Sequence, residues 1–392
     1  MTKPKIFHVF NSSFVIPFFL GDQINYFQSQ GSEIYVSCTD SEHAQKYAQE
    51  KGFKYFPIKI LRKISVISDL IAVYRLMMII RKERINVVVG HTPKGALLAL
   101  LASWIMRVPV RIYFRHGLVY ETMTGMSRVI MINLDRLTSF CSTKVICVSP
   151  SLYKRSIKDK LCSISKQVIL NKGTCTGIDS KLKFNPELIN TKKISALRQS
   201  LQIKDNVFVI GYCGRLVRDK GIGDLINAFQ LLQDRINDLE LLLLLIGGFE
   251  ERDSLDAETI KIINESSKIR YTGWLYEEVE NYYSLMDVFV LPSYREGFPT
   301  SVLEASSLRK AVLTTRVTGC IDSIINKVTG RFIENNPDSI SENIEFYIKN
   351  PKVRIEHGKN GREFVTSNFD QTIIWGEIEK QFKLDYSLIM EC

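Results

Sequence analysis

Short apolar runs alternate with amphipathic stretches along almost the whole chain. In the first half, positions 6–10, 33–38, 87–91, 110–114, 144–148 and 168–170 read as strands. The stretches 23–30, 69–84, 94–106 and 128–140 carry apolar residues at helical spacing. The same rhythm restarts in the second half, with strands at 207–213, 241–246, 271–272, 288–291, 311–315 and 331–333 and a helix at 222–232. From about 337 onward the pattern is helical. Such alternation predicts parallel sheets with helices on both faces, an α/β fold built twice. Between 171 and 193 the period lapses, and Gly173, Gly177, Pro186 and several lysines cluster there. A linker is therefore expected around 180–195, separating a domain at 1–185 from one at 186–370, with 371–392 as a last helix.

Size and composition narrow the class. A chain of 392 residues, 45% hydrophobic and 24% charged, has the profile of an ordinary globular enzyme of two domains. The longest apolar stretch, 96–106, carries Ser103 and stops at Arg107, about half of what a membrane span needs. No apolar signal core follows Met1-Thr2-Lys3-Pro4-Lys5, which runs straight into the first strand. The eight cysteines form no Cys-x-x-Cys pair and no zinc-type spacing with the five histidines, so reduced thiols in a cytoplasmic protein are expected.

Charge is divided unevenly. The overall +10 combines 30 Lys/Arg against 12 Asp/Glu in residues 1–200 with 22 against 30 in the remainder. A basic half serves either as a solubility surface or as an attraction to an anionic membrane face or a diphosphate-linked lipid. No nucleic-acid-binding motif accompanies it, so nucleic acid is not an expected partner.

The most informative segment is Leu291-Pro292-Ser293-Tyr294-Arg295-Glu296-Gly297-Phe298-Pro299-Thr300-Ser301-Val302-Leu303-Glu304-Ala305. A buried strand ends at Pro292, and a helix with Pro299 in its first turn follows. Glu296 then lies on the loop at a strand's carboxyl end and Glu304 two turns into the helix. That edge is where open α/β sheets bind ligands, and the N–H groups from Gly297 to Ser301 suit an anion. A second segment, Gly211-Tyr212-Cys213-Gly214-Arg215-Leu216-Val217-Arg218-Asp219-Lys220-Gly221, also joins a buried strand to an amphipathic helix.

The first of these segments resembles the Glu-x7-Glu signature of retaining glycosyltransferases of family 4, and the second resembles that family's Gly-Arg…Lys-Gly segment. The resemblance implies a GT-B fold, two Rossmann-like domains whose parallel sheets face each other across a cleft, with the 371–392 helix returning to the N-terminal domain. It implies that Arg215 and Lys220 clamp a donor diphosphate, that Glu304 accepts from ribose hydroxyls and that Glu296 contacts the transferred sugar. Gly297, Phe298, Pro299 and Thr300 line the anion end of the helix. Tyr271-Thr272-Gly273-Trp274-Leu275 resembles the loop that reads the base, placing Gly273 and Trp274 at the donor; it reads equally as a strand end with a glycine turn.

In the first half, Gly21 stands where the family's first loop has paired glycines, with Asp22 at the second place. His116, in Phe114-Arg115-His116-Gly117, stands where the family has a histidine against the donor sugar. His91 ends another strand on the same edge. After the second Glu, Leu308-Arg309-Lys310-Ala311 replaces the usual Gly-x-Pro, and Gly319-Cys320-Ile321-Asp322 has Asp where relatives have Glu.

What the resemblance implies is retaining transfer of a sugar from a nucleoside diphosphate, UDP for preference, to a lipid-linked saccharide during capsule or O-antigen assembly. The enzyme would work at the cytoplasmic membrane face with no cofactor. No Asp-x-Asp motif occurs, and two cations are present for the diphosphate, so no metal is expected. A UDP-sugar epimerase of the same architecture is the alternative, distinguished by needing no acceptor. A dehydrogenase would require a Gly-x-Gly-x-x-Gly turn that no strand here precedes. A non-catalytic partner subunit keeping the fold would not need Arg215, Lys220, Glu296 and Glu304.

Overall fold

Strand β1 (Lys5–Val9) lies inside a seven-stranded parallel sheet, flanked by β2 (Glu33–Cys38) and β4 (Val87–Gly90). With β3 (Lys54–Pro57), β5 (Val110–Arg115), β6 (Lys144–Cys147) and β7 (Gln167–Val168), the order is β3-β2-β1-β4-β5-β6-β7. A second parallel sheet has six strands: β8 (Phe208–Cys213), β9 (Leu241–Ile246), β10 (Ile269–Tyr271), β11 (Val288–Leu291), β12 (Ala311–Thr315) and β13 (Gly330–Ile333). Their order, β10-β9-β8-β11-β12-β13, repeats the first sheet's reversal around its first strand. Each sheet is thus a doubly wound Rossmann-like unit with a switch point beside its first strand, β1/β4 in one and β8/β11 in the other. This computed structural model describes residues 3–63, 65–275 and 277–387.

The strand runs are apolar because both faces are covered. Every residue of β9, Leu-Leu-Leu-Leu-Leu-Ile, is buried, as is every residue of β11 and β12. The helices Ile222–Arg235 and Pro337–Lys349 pack together and bury Leu225, Phe229, Leu232, Ile340, Ile344 and Tyr347.

Two details depart from the sequence reading. β3 was not anticipated: it is an edge strand with every side chain at least partly exposed, so it lacks the apolar run that marks its neighbours. The chain also divides at Gly177–Ile178 rather than near 185. Ile178 bridges to Asp370, its N–H donates to Phe369 O, and Ser180 Oγ donates to Asp370 Oδ2 at 2.6 Å. Phe184 lies in the second core, so the segment after 178 belongs to the second unit despite its irregular backbone.

Residues from Thr372 on belong with the first unit. The helix Gln371–Ser387 sets Trp375 against Tyr26 and Phe382 against Phe27, and Tyr26 Oη donates to Glu379. Positions 388–392 of the expected terminal helix lie outside the described residues.

Candidate active site

In the second unit, the loops after all six strands meet at the carboxyl edge of the sheet, around the β8/β11 switch point. The loop after β8 carries Arg215 and Lys220, and a glycine lets it approach the loop after β11. Gly221 has φ +70°, and a Cβ there would stand 2.1 Å from Pro292 O. Tyr294 N–H and Ser293 Oγ both donate to Asp219 O, tying the two loops together. Thr315 Oγ1 and Asn335 Nδ2 donate to Ser293 O and so fix the turn that presents Glu296.

These contacts bring Lys220 Nζ within 2.5 Å of Glu296 Oε1, and the same ammonium donates to Arg295 O. Arg215 pairs with Glu250 at 2.9 Å, on the loop after β9, and Arg295 pairs with Asp219 at 2.9 Å. Burial opposes the charge on Asp219, but Lys220, Arg295 and Arg215 outweigh it and hold the carboxyl below its ordinary range. Tyr212 Oη, buried beneath the loop, donates to Arg215 O at 2.8 Å.

Gly297, Phe298 and Pro299 lead from Glu296 into the helix Thr300–Ser307, and Gly319 on the loop after β12 packs against Gly297 O. Glu304, in the second turn of that helix, accepts from Tyr283 Oη at 2.6 Å. Burial raises the Glu304 carboxyl above the usual carboxylate range, although the Tyr283 hydroxyl pulls the other way. Gly273, with φ +71°, accepts at its carbonyl from Gly247 N–H, and the Trp274 indole packs closely enough on Gly248 to leave no room for a Cβ there. Arg215, Lys220, Gly273, Trp274, Glu296 to Thr300 and Glu304 therefore share one rim of one sheet.

The first unit has its own constellation at the ends of β1, β4 and β5. His116 follows β5 and is partly exposed; His91 follows β4 and His8 lies within β1, both buried. His91 Nδ1 is 3.0 Å from His116 Nε2, and His91 Nε2 is 3.0 Å from His8 Nδ1. Phe19 stacks on His116 with ring centroids 3.9 Å apart, and Phe10 stacks on His91 at 4.4 Å. Burial drives His8 and His116 down to about 3 and His91 well below its ordinary value, so all three rings are neutral. Gly21 stands two residues beyond Phe19 with φ +49°, and Asp22 pairs with Lys51.

Behind His116, Arg115 is fully buried, with Nη2 2.6 Å from Asp135 Oδ1 and further bonds to Ser139, Ser156 and Gln167. That network anchors the end of β5 from which His116 projects.

Comparison with known proteins decides the family. Residues 193–364 match the model for group 1 glycosyl transferases, and residues 6–149 match that for glycosyl transferase 4-like domains. Over 383 residues the chain is 32% identical to the capsular polysaccharide biosynthesis glycosyltransferase CapM of Staphylococcus aureus, covering 97% of each. The chain belongs to the group 1 glycosyltransferases.

This glycosyltransferase is also 25% identical, over 86% of its length and 85% of the relative's, to an Escherichia coli enzyme named UDP-Gal:α-D-GlcNAc-diphosphoundecaprenol α-1,3-galactosyltransferase. Its fold is that of the Anabaena protein Alr3699/HepE, solved in complex with UDP, with a TM-score of 0.79 at 17% identity over 97% of this chain and 100% of that one. It is thus a GT-B glycosyltransferase similar to enzymes of capsule and O-antigen assembly.

Sequence reasoning about the glycosyltransferase missed the partners of its cations. Glu250 sits in an unremarkable Phe-Glu-Glu-Arg stretch, and only the pairing of β8 with β9 brings it to Arg215. Tyr283 was likewise hidden in a helix, 21 positions before the Glu304 it holds. His8 did leave a signal: it is a titratable side chain inside the buried run Ile6-Phe7-His8-Val9.

Proposed function

We propose that this glycosyltransferase moves a sugar from a UDP-sugar, with retention at the anomeric carbon and without a metal, to a lipid-linked saccharide acceptor. The observation that supports the reading most is the gathering of Arg215, Lys220, Glu296 and Glu304 on one sheet edge beside a helix N-terminus. A diphosphate would compete with Glu250 for Arg215 and with Glu296 for Lys220, freeing Glu296 for sugar hydroxyls. As the glycosidic bond breaks, the leaving diphosphate gains charge that the guanidinium and ammonium stabilise in place of a metal. The acceptor hydroxyl attacks from the same face, and the leaving phosphate oxygen takes its proton. Glu296, on that loop, favours the oxocarbenium character of the transition state. Glu304 keeps one oxygen on Tyr283 and has the other for a ribose hydroxyl, and His116 is assigned to the donor sugar by its family resemblance.

The choice of UDP and of a lipid-diphosphate acceptor is supported by the E. coli relative's name and by the UDP bound to HepE. The surface of the first unit supports it as well. Helix Val66–Glu83 exposes Val66, Ile67, Leu70, Tyr74 and Met78, and helix Gly125–Cys141 exposes Met126, Val129 and Phe140. Arg62 and Lys63 precede the first of these, and Arg81 and Lys82 lie in its last turn. Apolar side chains beside clustered cations suit peripheral binding to an anionic membrane, where such acceptors reside. Among the described residues no helix is long and apolar enough to cross a membrane.

Incubation with UDP-sugars and a polyprenyl-diphosphate saccharide in EDTA tests the reaction. Product is expected only with acceptor present; interconversion of UDP-sugars without it would make the enzyme an epimerase instead. Reversing Arg62, Lys63, Arg81 and Lys82 to Glu should abolish sedimentation with phosphatidylglycerol vesicles, and unchanged binding would refute the membrane contact.

A further inference from the structure

We infer that His8, His91 and His116 form a neutral imidazole chain that locks the tautomer of His116, so that His8 and His91 are positioning residues for the sugar-facing ring. The inference rests on the reading that His116 meets the donor sugar. His116 Nε2 is engaged by His91, which leaves Nδ1 as the ring nitrogen available to a substrate. What Nδ1 offers is then dictated from behind.

Each of the two ring-to-ring bridges needs one N–H and one bare nitrogen. With no ring charged, only two arrangements satisfy both bridges at once. In one, all three rings carry hydrogen on Nδ1: His8 Nδ1–H donates to His91 Nε2, His91 Nδ1–H donates to His116 Nε2, and His116 Nδ1 is a donor. In the other, all three carry it on Nε2: the bridges reverse and His116 Nδ1 is an acceptor. A change at His116 alone would set two donors or two bare nitrogens against each other in a buried site, at the cost of a lost hydrogen bond. The three rings therefore share one tautomer.

The surroundings reinforce this coupling. Phe10 and Phe114 stack on His91, and Phe19 stacks on His116. These faces are apolar, so the bridging nitrogens have each other as partners. Burial and the neighbouring imidazoles are what keep the rings uncharged; no carboxylate contributes.

The test is two-bond 1H–15N correlation spectroscopy on protein labelled with 15N-histidine, with the rings assigned by His→Phe variants. All three rings are expected in one tautomeric form at neutral pH; a mixed set would overturn the chain whether or not any sugar is transferred. In activity assays, His91→Phe keeps the stacked shape but breaks both bridges, and is expected to lower kcat about tenfold or more with KM for the donor little changed. His91→Asn restores an amide beside His116 Nε2 and should recover most of that loss. Wild-type kcat in His91→Phe, or no recovery in a folded His91→Asn, would remove the positioning role. Wild-type protein that turns over no sugar nucleotide, yet gives the matched tautomers, would fault the sugar reading and leave the chain intact.

Discussion

Arg215 and Lys220 are each met by a carboxylate, and this shapes what substitutions should do. Glu296→Ala frees Lys220 as well as removing the proposed sugar contact, so transfer should fall by about 100-fold or more while the melting temperature stays close to wild type. Arg215→Ala should lose transfer to a similar degree, read as weaker UDP binding by calorimetry together with lower kcat. Arg115 behaves differently because it is wholly enclosed. Arg115→Met leaves the largely enclosed Asp135 without its cation and is expected to destabilise the first unit by about 3 kcal/mol in urea unfolding. Gly221→Ala should cost both stability and transfer, since the strain falls on the contact with Pro292 that aligns the two loops.

The elements explain how much could be read in advance. Continuous apolar runs such as β9 and β11 were legible because burial on both faces leaves no polar position to blur them. The edge strand β3 was not, because half-exposed Lys54, Tyr55 and Phe56 resemble a loop. Glu296 and Glu304 were legible because they lie on one contiguous strand–loop–helix, whereas Glu250 and Tyr283 reach the site only through pairing of distant segments. The three strand ends of the first unit carry a pH consequence. Burial holds His8 and His116 at about 3 and His91 well below the ordinary 6.5, so the folded state binds fewer protons than the unfolded one below 6.5. Stability should therefore rise with pH across that window and fall on acidification by about 1.4 kcal/mol per pH unit for each ring. Urea unfolding between pH 5 and pH 7 checks this, and His8→Phe should flatten the slope.

At the scale of the whole molecule, the chain leaves the first unit at Gly177 and re-enters it at Thr372. Removing everything after 370 would strip Trp375 and Phe382 from Tyr26 and Phe27. Calorimetry of that truncation should show the first unit melting well below its normal temperature while the second unit still binds UDP. The two crossings also touch: Ile178 N–H donates to Phe369 O and Gln371 N–H to Ile178 O. The second unit is thus a cassette with adjoining ends, spliced into the chain at a single point. On the proposed assignment of donor to the second unit and acceptor to the first, exchange of 178–371 between relatives at that seam would graft one enzyme's choice of donor onto another's choice of acceptor, a route to new surface polysaccharides without rebuilding either core.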